Sequence, residues 1–240
     1  MFELASLPQD MGQIVVQGIA LGRLAFRRLF MLTSIMGFLG LVPTAVLVWG
    51  AGDVEITNDF LFESIKGAYG FVGLLMVVLG MYVRAVLIKR VSLAARGQSE
   101  PREVELRSAL RVWIWLMLAG IIYVAAVVVG MILLIVPGLI LAVSLMFEEF
   151  GVVLEGMKPL QALNGSHNLV WGHWWRTLGL MLLIFIPLAI LLAILSAMLG
   201  IDHGSLEAAA LGRDFFSQTV LQMVFLAFFG PFIYSILFLY

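Results

Sequence analysis

Cysteine is absent from all 240 residues, which excludes disulfide frameworks, thiolate metal sites and cysteine nucleophiles together. Charge is scarce as well. Asp, Glu, Lys and Arg make up 12% of the chain, against about 25% in soluble globular proteins. Lysine occurs only as Lys66, Lys89 and Lys158, none of which closes a G-x-x-x-x-G-K phosphate loop. The nucleophile elbow G-x-S-x-G and the zinc-binding H-E-x-x-H are missing too. His167 and His173 lack the i, i+4 spacing that puts two ligands on one helical face, and His203 stands beside Asp202 in a loop. No catalytic group, metal site or cofactor is expected.

What is present in excess is apolar: 62% of the residues are hydrophobic and the mean hydropathy is +1.09. A chain of this composition cannot cover itself with polar groups in water, so soluble enzymes, nucleic-acid binders and disordered tails are excluded. A hydrocarbon core about 30 Å thick takes about 20 residues of helix. Six stretches qualify, over about 29–50, 67–87, 112–136, 138–155, 177–199 and 217–240. None alternates with the period of two that marks a barrel strand, and helices are the other way to satisfy every backbone group in lipid. The expected fold class is an all-α membrane protein: one integral membrane domain over 1–240, with six transmembrane helices and two in-plane amphipathic helices on the cytoplasmic side. Because the apolar run from Val112 to Phe147 carries no charge, a tight hairpin is expected at Pro137-Gly138.

Arginine and lysine set the orientation. With a cytoplasmic N-terminus, 12 of the 14 basic residues fall inside and only Lys66 and Arg213 outside, a strong positive-inside signal. Asp53, Glu55, Asp59, Glu63, Asp202, Glu207 and Asp214 then fall in the outer loops. Both termini are expected in the cytoplasm, and the localisation expected is a bacterial inner membrane. Glu3 and Asp10, with no short apolar run ending in small residues, argue against a cleaved signal peptide.

Two connecting segments carry a helical period. In the N-terminal segment 1–28, Met11, Ile14, Val15, Gly18, Gly22, Ala25, Phe26 and Leu29 share one face, with Asp10, Gln13, Gln17, Arg23 and Arg27 opposite. This face suits either an interfacial helix, with Arg23, Arg27 and Arg28 meeting lipid headgroups, or a helix packed under the bundle. Gly18 and Gly22 have the GxxxG spacing that permits close approach. Over 158–175, Pro159 starts a second helix, with Leu160, Leu163, His167, Val170 and Trp174 on one stripe. Trp171, Trp174, Trp175 and Arg176 stand where an interfacial aromatic belt would anchor it. The intervening Lys89–Arg111 segment, of alternating sign, is expected to be a solvated connector.

The stretch Ile135-Val-Pro-Gly138, then Pro159-Leu-Gln-Ala-Leu163, Ser166, Leu169 and Gly172-His-Trp-Trp-Arg176, resembles the YciC-type bacterial inner-membrane proteins. It is similar also to the related membrane domain attached to some glycerophosphoryl diester phosphodiesterases. The resemblance implies a six-span, non-enzymatic membrane protein and transfers no catalytic residue. The acidic pair Glu148-Glu149 departs from the apolar arm expected of that family.

Those glutamates are the sharpest feature. A charge in mid-membrane costs about 2.5–3.5 kcal/mol on insertion scales, and Arg84 is the natural partner. Three readings stay open: charges at the inner boundary, a structural ion pair among Arg84, Glu148 and Glu149, or a relay in a transport pathway. Prolines within spans, at Pro43, Pro187 and Pro231, either free carbonyls for ion binding or are simply tolerated there. The expected function is a lipid-handling, envelope-organising or scaffold role. The alternative is a small transporter or channel using Glu148/Glu149 and Arg84. The expected partners are membrane lipids, further copies of the chain or other membrane proteins, and no nucleic acid.

Overall fold

A computed structural model describes residues 11–51, 59–199 and 213–240. Among them every regular element is a helix: α1 (Met11–Ala51), α2 (Asp59–Ala95), α3 (Arg102–Leu133), α4 (Ile135–Ser144), α5 (Glu148–Glu155), α6 (Pro159–Val170), α7 (Trp174–Met198) and α8 (Arg213–Leu239). Six stretches are long and apolar enough to cross a membrane: Met11–Pro43, Gly70–Ala95, Arg102–Leu133, Ile135–Glu155, Trp174–Met198 and Ser217–Leu239. Large apolar side chains such as Phe71, Ile132 and Leu133 stand exposed, while Thr33, Ser144, Glu148, Ser166 and Thr177 are buried. That distribution suits hydrocarbon as the solvent, where small polar groups bond neighbouring helices. Asp53, Glu55, Asp202, His203 and Glu207 lie outside the described residues.

The chain divides into two compact units. The first comprises Met1–Phe26, Arg84–Phe185 and Phe232–Tyr240, and its core includes Leu21, Val86, Leu87, Ile88, Leu116, Val152 and Leu180. The second comprises Arg27–Val83 and Ile186–Pro231. In it Phe30 meets Phe228 edge-on at 5.3 Å, and the Thr33 hydroxyl, wholly buried, donates to the Ala227 carbonyl at 3.0 Å. Of the 14 basic residues only Arg27, Arg28, Lys66 and Arg213 belong to this unit.

Several expected boundaries move. The N-terminal segment is not a separate in-plane element, because residues 11–51 form one continuous helix. Its apolar face is covered by protein within the first unit: Gly18 abuts Ile236, Gly22 abuts Phe232, and Phe26 packs on Phe232 at 5.8 Å between ring centroids. The GxxxG spacing thus serves a helix–helix contact. The Lys89–Arg111 connector is also mostly helical, with only residues 96–101 between α2 and α3.

The hairpin falls at Leu134, whose extended backbone (φ −164°, ψ 146°) separates α3 from α4, and not at Pro137-Gly138. Pro137 is accommodated in the first turn of α4, where a missing N–H costs nothing. Gly138 serves the close approach of the two arms, since a Cβ on Gly130 would lie 3.0 Å from the Gly138 Cα. The returning span is itself interrupted. Residues 145–147 part α4 from α5, although this stretch holds neither proline nor glycine. Pro43, Pro187 and Pro231, by contrast, lie inside unbroken helices.

The α1–α8 contact yields a direct test. A Cβ on Gly18 would sit 2.7 Å from the Ile236 Cα, so Gly18→Ala is expected to cost about 1–3 kcal/mol through overpacking. Gly73→Ala meets nothing within 4 Å and is expected to be neutral or slightly stabilising. Thermal unfolding in detergent distinguishes them, and equal midpoints would contradict the packing.

Candidate functional site

The first unit gathers three features: an ion-paired helix end, an interrupted span with an acidic pair, and two clefts. The helix end comes first in the chain. Arg90 grips Glu105 through two hydrogen bonds of 2.7 and 3.1 Å, and Glu105 is buried. This fork-to-fork geometry is the strong form of an ion pair. One residue earlier, Lys89 donates to Glu100 at 2.9 Å and to Ser108 at 2.5 Å. Lys89, Arg90, Glu100 and Glu105 are therefore tie-points between the ends of α2 and α3, while Arg96, Arg102, Glu103, Arg107 and Arg111 are exposed.

The break in the returning span is held from α6. Ser166 donates its hydroxyl proton to the Ser144 carbonyl at 2.9 Å and accepts the Phe147 N–H at 3.0 Å. One buried hydroxyl thus serves a carbonyl at the end of α4 and an amide at the start of α5. Tyr123 on α3 donates to the Ala142 carbonyl at 3.3 Å. A side chain inserted into the hydrogen-bond ladder is a recognised cause of helix interruption. Phe147 itself is buried and stacks on Tyr240 with ring centroids 5.2 Å apart, while Tyr240 shares a hydrogen bond with Thr177. The Ser144 hydroxyl is buried and has no partner among the described residues.

The acidic pair begins α5, and this position explains how both carboxylates are tolerated. A helix's first turn leaves backbone N–H groups without intrahelical partners. The buried Glu148 carboxylate stands in that first turn, where the helix dipole favours negative charge. Glu149 instead meets Arg84 of α2, Nη1 to Oε2 at 3.2 Å, with its side chain 12% exposed against 39% for Arg84. Tyr234 of α8, itself buried, lies within electrostatic reach of Arg84 and Glu149. The structure thus brings Arg84, Glu148 and Glu149 together. It adds Ser166, Tyr123 and Tyr234, which sequence reasoning gave no role here. Ser166 did fall in the stretch that carries the resemblance to YciC-type proteins, and its serine was the available signal.

Of the surface residues, Arg23, Arg27 and Arg28 are exposed on α1. Helix α6 ends at Val170, and Gly172, with φ +96°, reverses the chain so that Trp174, Trp175 and Arg176 open α7. Trp171 and Trp175 are exposed, and Trp174 meets Trp175 edge-on at 4.8 Å. The buried stripe of α6 differs from the expected one. It is Pro159, Ala162, Leu163, Ser166 and Val170, with Leu160 facing out, because small residues let α6 approach the broken span.

Among the described residues, two clefts of this unit adjoin these features. One, of about 340 Å³, lies among the end of α2, residues 96–101, the start of α3 and the end of α5; Lys89, Arg96, Glu100 and Arg111 are its charged lining. The other, of about 290 Å³, lies among α5, α6 and the end of α8. Its walls are chiefly apolar, with Phe147, Phe150, Leu154, Leu169, Leu237 and Tyr240, and its polar groups include Glu155 and Ser166.

These features define an all-helical protein with six helices suited to crossing a membrane and an interrupted span stapled from a neighbouring helix. The chain belongs to the DUF7847 family, described as a domain of unknown function, whose family model matches residues 2–237. Neither the curated proteins nor the solved structures contain a match.

Two outcomes follow from this geometry. Ser166→Ala orphans a buried carbonyl and a buried amide, and is expected to destabilise the protein by about 1–3 kcal/mol; unfolding indistinguishable from wild type would mean the staple carries no weight. Arg84→Met strands Glu149, so combining it with Glu149→Gln is expected to recover part of the loss. A double-mutant cycle should read about 0.5–3 kcal/mol of coupling, and strict additivity would show the two groups to be independent.

Proposed function

We propose that the protein is a non-enzymatic, lipid-handling component of an inner (cytoplasmic) membrane, with both termini in the cytoplasm. Kinship with the YciC-type proteins belongs to the same proposal and rests on residues 135–176. The observation that carries the reading is the apolar cleft among α5, α6 and α8, with its few polar groups. Such a lining is what an acyl chain requires, and binding clefts are generally apolar with a small number of placed polar groups. Beside it the exposed Trp171 and Trp175 are suited to headgroup level, where amphipathic rings concentrate.

Helix α6 has 12 residues, a length of about 18 Å that is too short to cross the core. Its exposed Gln161, Asn164 and Asn168 support an in-plane position at the inner interface. Arg23, Arg27, Arg28 and Arg176 are the headgroup contacts of this reading. An envelope-organising or scaffold role, through contacts with other membrane proteins or further copies, uses the same surface.

The interrupted span supports a second reading, a small transporter or channel, since transporters build their sites from discontinuous helices. Against it, Glu148 is 7% exposed and Glu149 is engaged by Arg84. The two clefts are lined by other residues.

Gly165 lines the apolar cleft, and a Cβ there meets only Met157, at 3.6 Å. Gly165→Leu is therefore expected to fill the cleft without unfolding α6. A phosphatidylcholine carrying a photoreactive acyl chain should label wild type and Gly165→Ala at the cleft, and Gly165→Leu several-fold less. Equal labelling of all three would overturn the lipid-handling reading.

A further inference from the structure

The cleft at the joined ends of α2 and α3 has a charge balance that the helices themselves leave open. Its charged lining is Lys89, Arg96 and Arg111 against the single acid Glu100. Glu100 is already held by Lys89 at 2.9 Å, and the nearby Glu105 is held by Arg90. The Arg96 and Arg111 side chains enter none of the ion pairs or side-chain hydrogen bonds found among the described residues, so two arginines line one concavity whose single acid is already taken. Gln98 and Ser92 add neutral donors, and the remaining wall, including Leu93, Val112 and Val153, is apolar.

We propose that this cleft binds a phosphate ester, with Arg96 and Arg111 gripping the phosphate oxygens and Gln98 and Ser92 meeting the hydroxyls of the glycerol that it esterifies. Guanidinium forks match phosphate geometry in a way that solvated point charges do not. Arg96 directly follows the apolar stretch Gly70–Ala95, which suits an anionic phospholipid headgroup; a soluble glycerol phosphate presents the same chemistry. Only the lipid source rests on the lipid-handling reading, and the arginine geometry stands without it.

The test uses the full chain in dodecyl maltoside, titrated calorimetrically with phosphatidylglycerol in mixed micelles and, separately, with glycerol 3-phosphate. The variants are Arg96→Gln/Arg111→Gln and, as a charge-matched control, Arg102→Gln/Arg107→Gln, whose arginines are equally exposed on α3 but do not line the cleft. Circular dichroism checks that each remains folded. Binding is expected to weaken at least about tenfold in the first pair, given the usual contribution of each basic residue near anionic lipid, and to stay within about twofold in the control. Glycerol 3-phosphate binding that is lost in the same pair, with no phosphatidylglycerol binding, would keep the phosphate site and remove the lipid-handling reading. Phosphatidylglycerol binding equally to wild type and Arg96→Gln/Arg111→Gln, or weakening alike in both pairs, would overturn the site and leave that reading intact. Absence of both ligands from wild type would also overturn the site.

Discussion

A backbone that crosses hydrocarbon has no water to turn to, and each N–H or C=O left without a partner there costs several kcal/mol. A continuous helix meets this condition from within. The returning span does not, because residues 145–147 interrupt it, and the chain meets the condition from outside through Ser166. Donating to one side of the gap and accepting from the other, this hydroxyl fixes the register of α6 against α4 and α5. The small residues of the α6 stripe, the stacking of Tyr240 on Phe147 and the bond from Tyr123 all surround the same few backbone atoms.

The interruption also supplies what the acidic pair needs. Starting a new helix at Glu148 places its buried carboxylate in a first turn, where the helix dipole favours negative charge. Glu149 lies about 100° further round the helix and reaches a different element, Arg84 of α2. Two adjacent carboxylates in an apolar span therefore receive two different kinds of compensation. The gap and the charges support one another, and each would be costly alone.

Much of this was legible in residues. Uninterrupted apolar runs give the six spanning stretches, and the face predicted over Met11–Leu29 is the one that α1 buries. The same periodicity could not say whether lipid or protein covered that face; Gly18 and Gly22 abutting α8 do. The Arg84–Glu149 contact followed from the scarcity of charge, since an acid in a span has few partners to choose from. What stayed hidden was long-range. The gap at 145–147 has no proline or glycine to announce it, as its cause lies 22 positions further on, from Ser144 to Ser166. The hairpin moved from Pro137 to Leu134 because proline is tolerated in a first turn. Between Lys89 and Arg111 the pairs Lys89–Glu100 and Arg90–Glu105 stayed hidden because their partners are 11 and 15 positions apart and meet only in space.

The staple is tested most directly by residue-resolved amide hydrogen exchange of the unmodified protein in lipid nanodiscs. With the Phe147 N–H bonded to the Ser166 hydroxyl and shielded by Tyr240, its exchange should be slowed to a rate comparable with amides in the middle of α3. Exchange of that amide at the rate of an open, solvated loop would contradict the account.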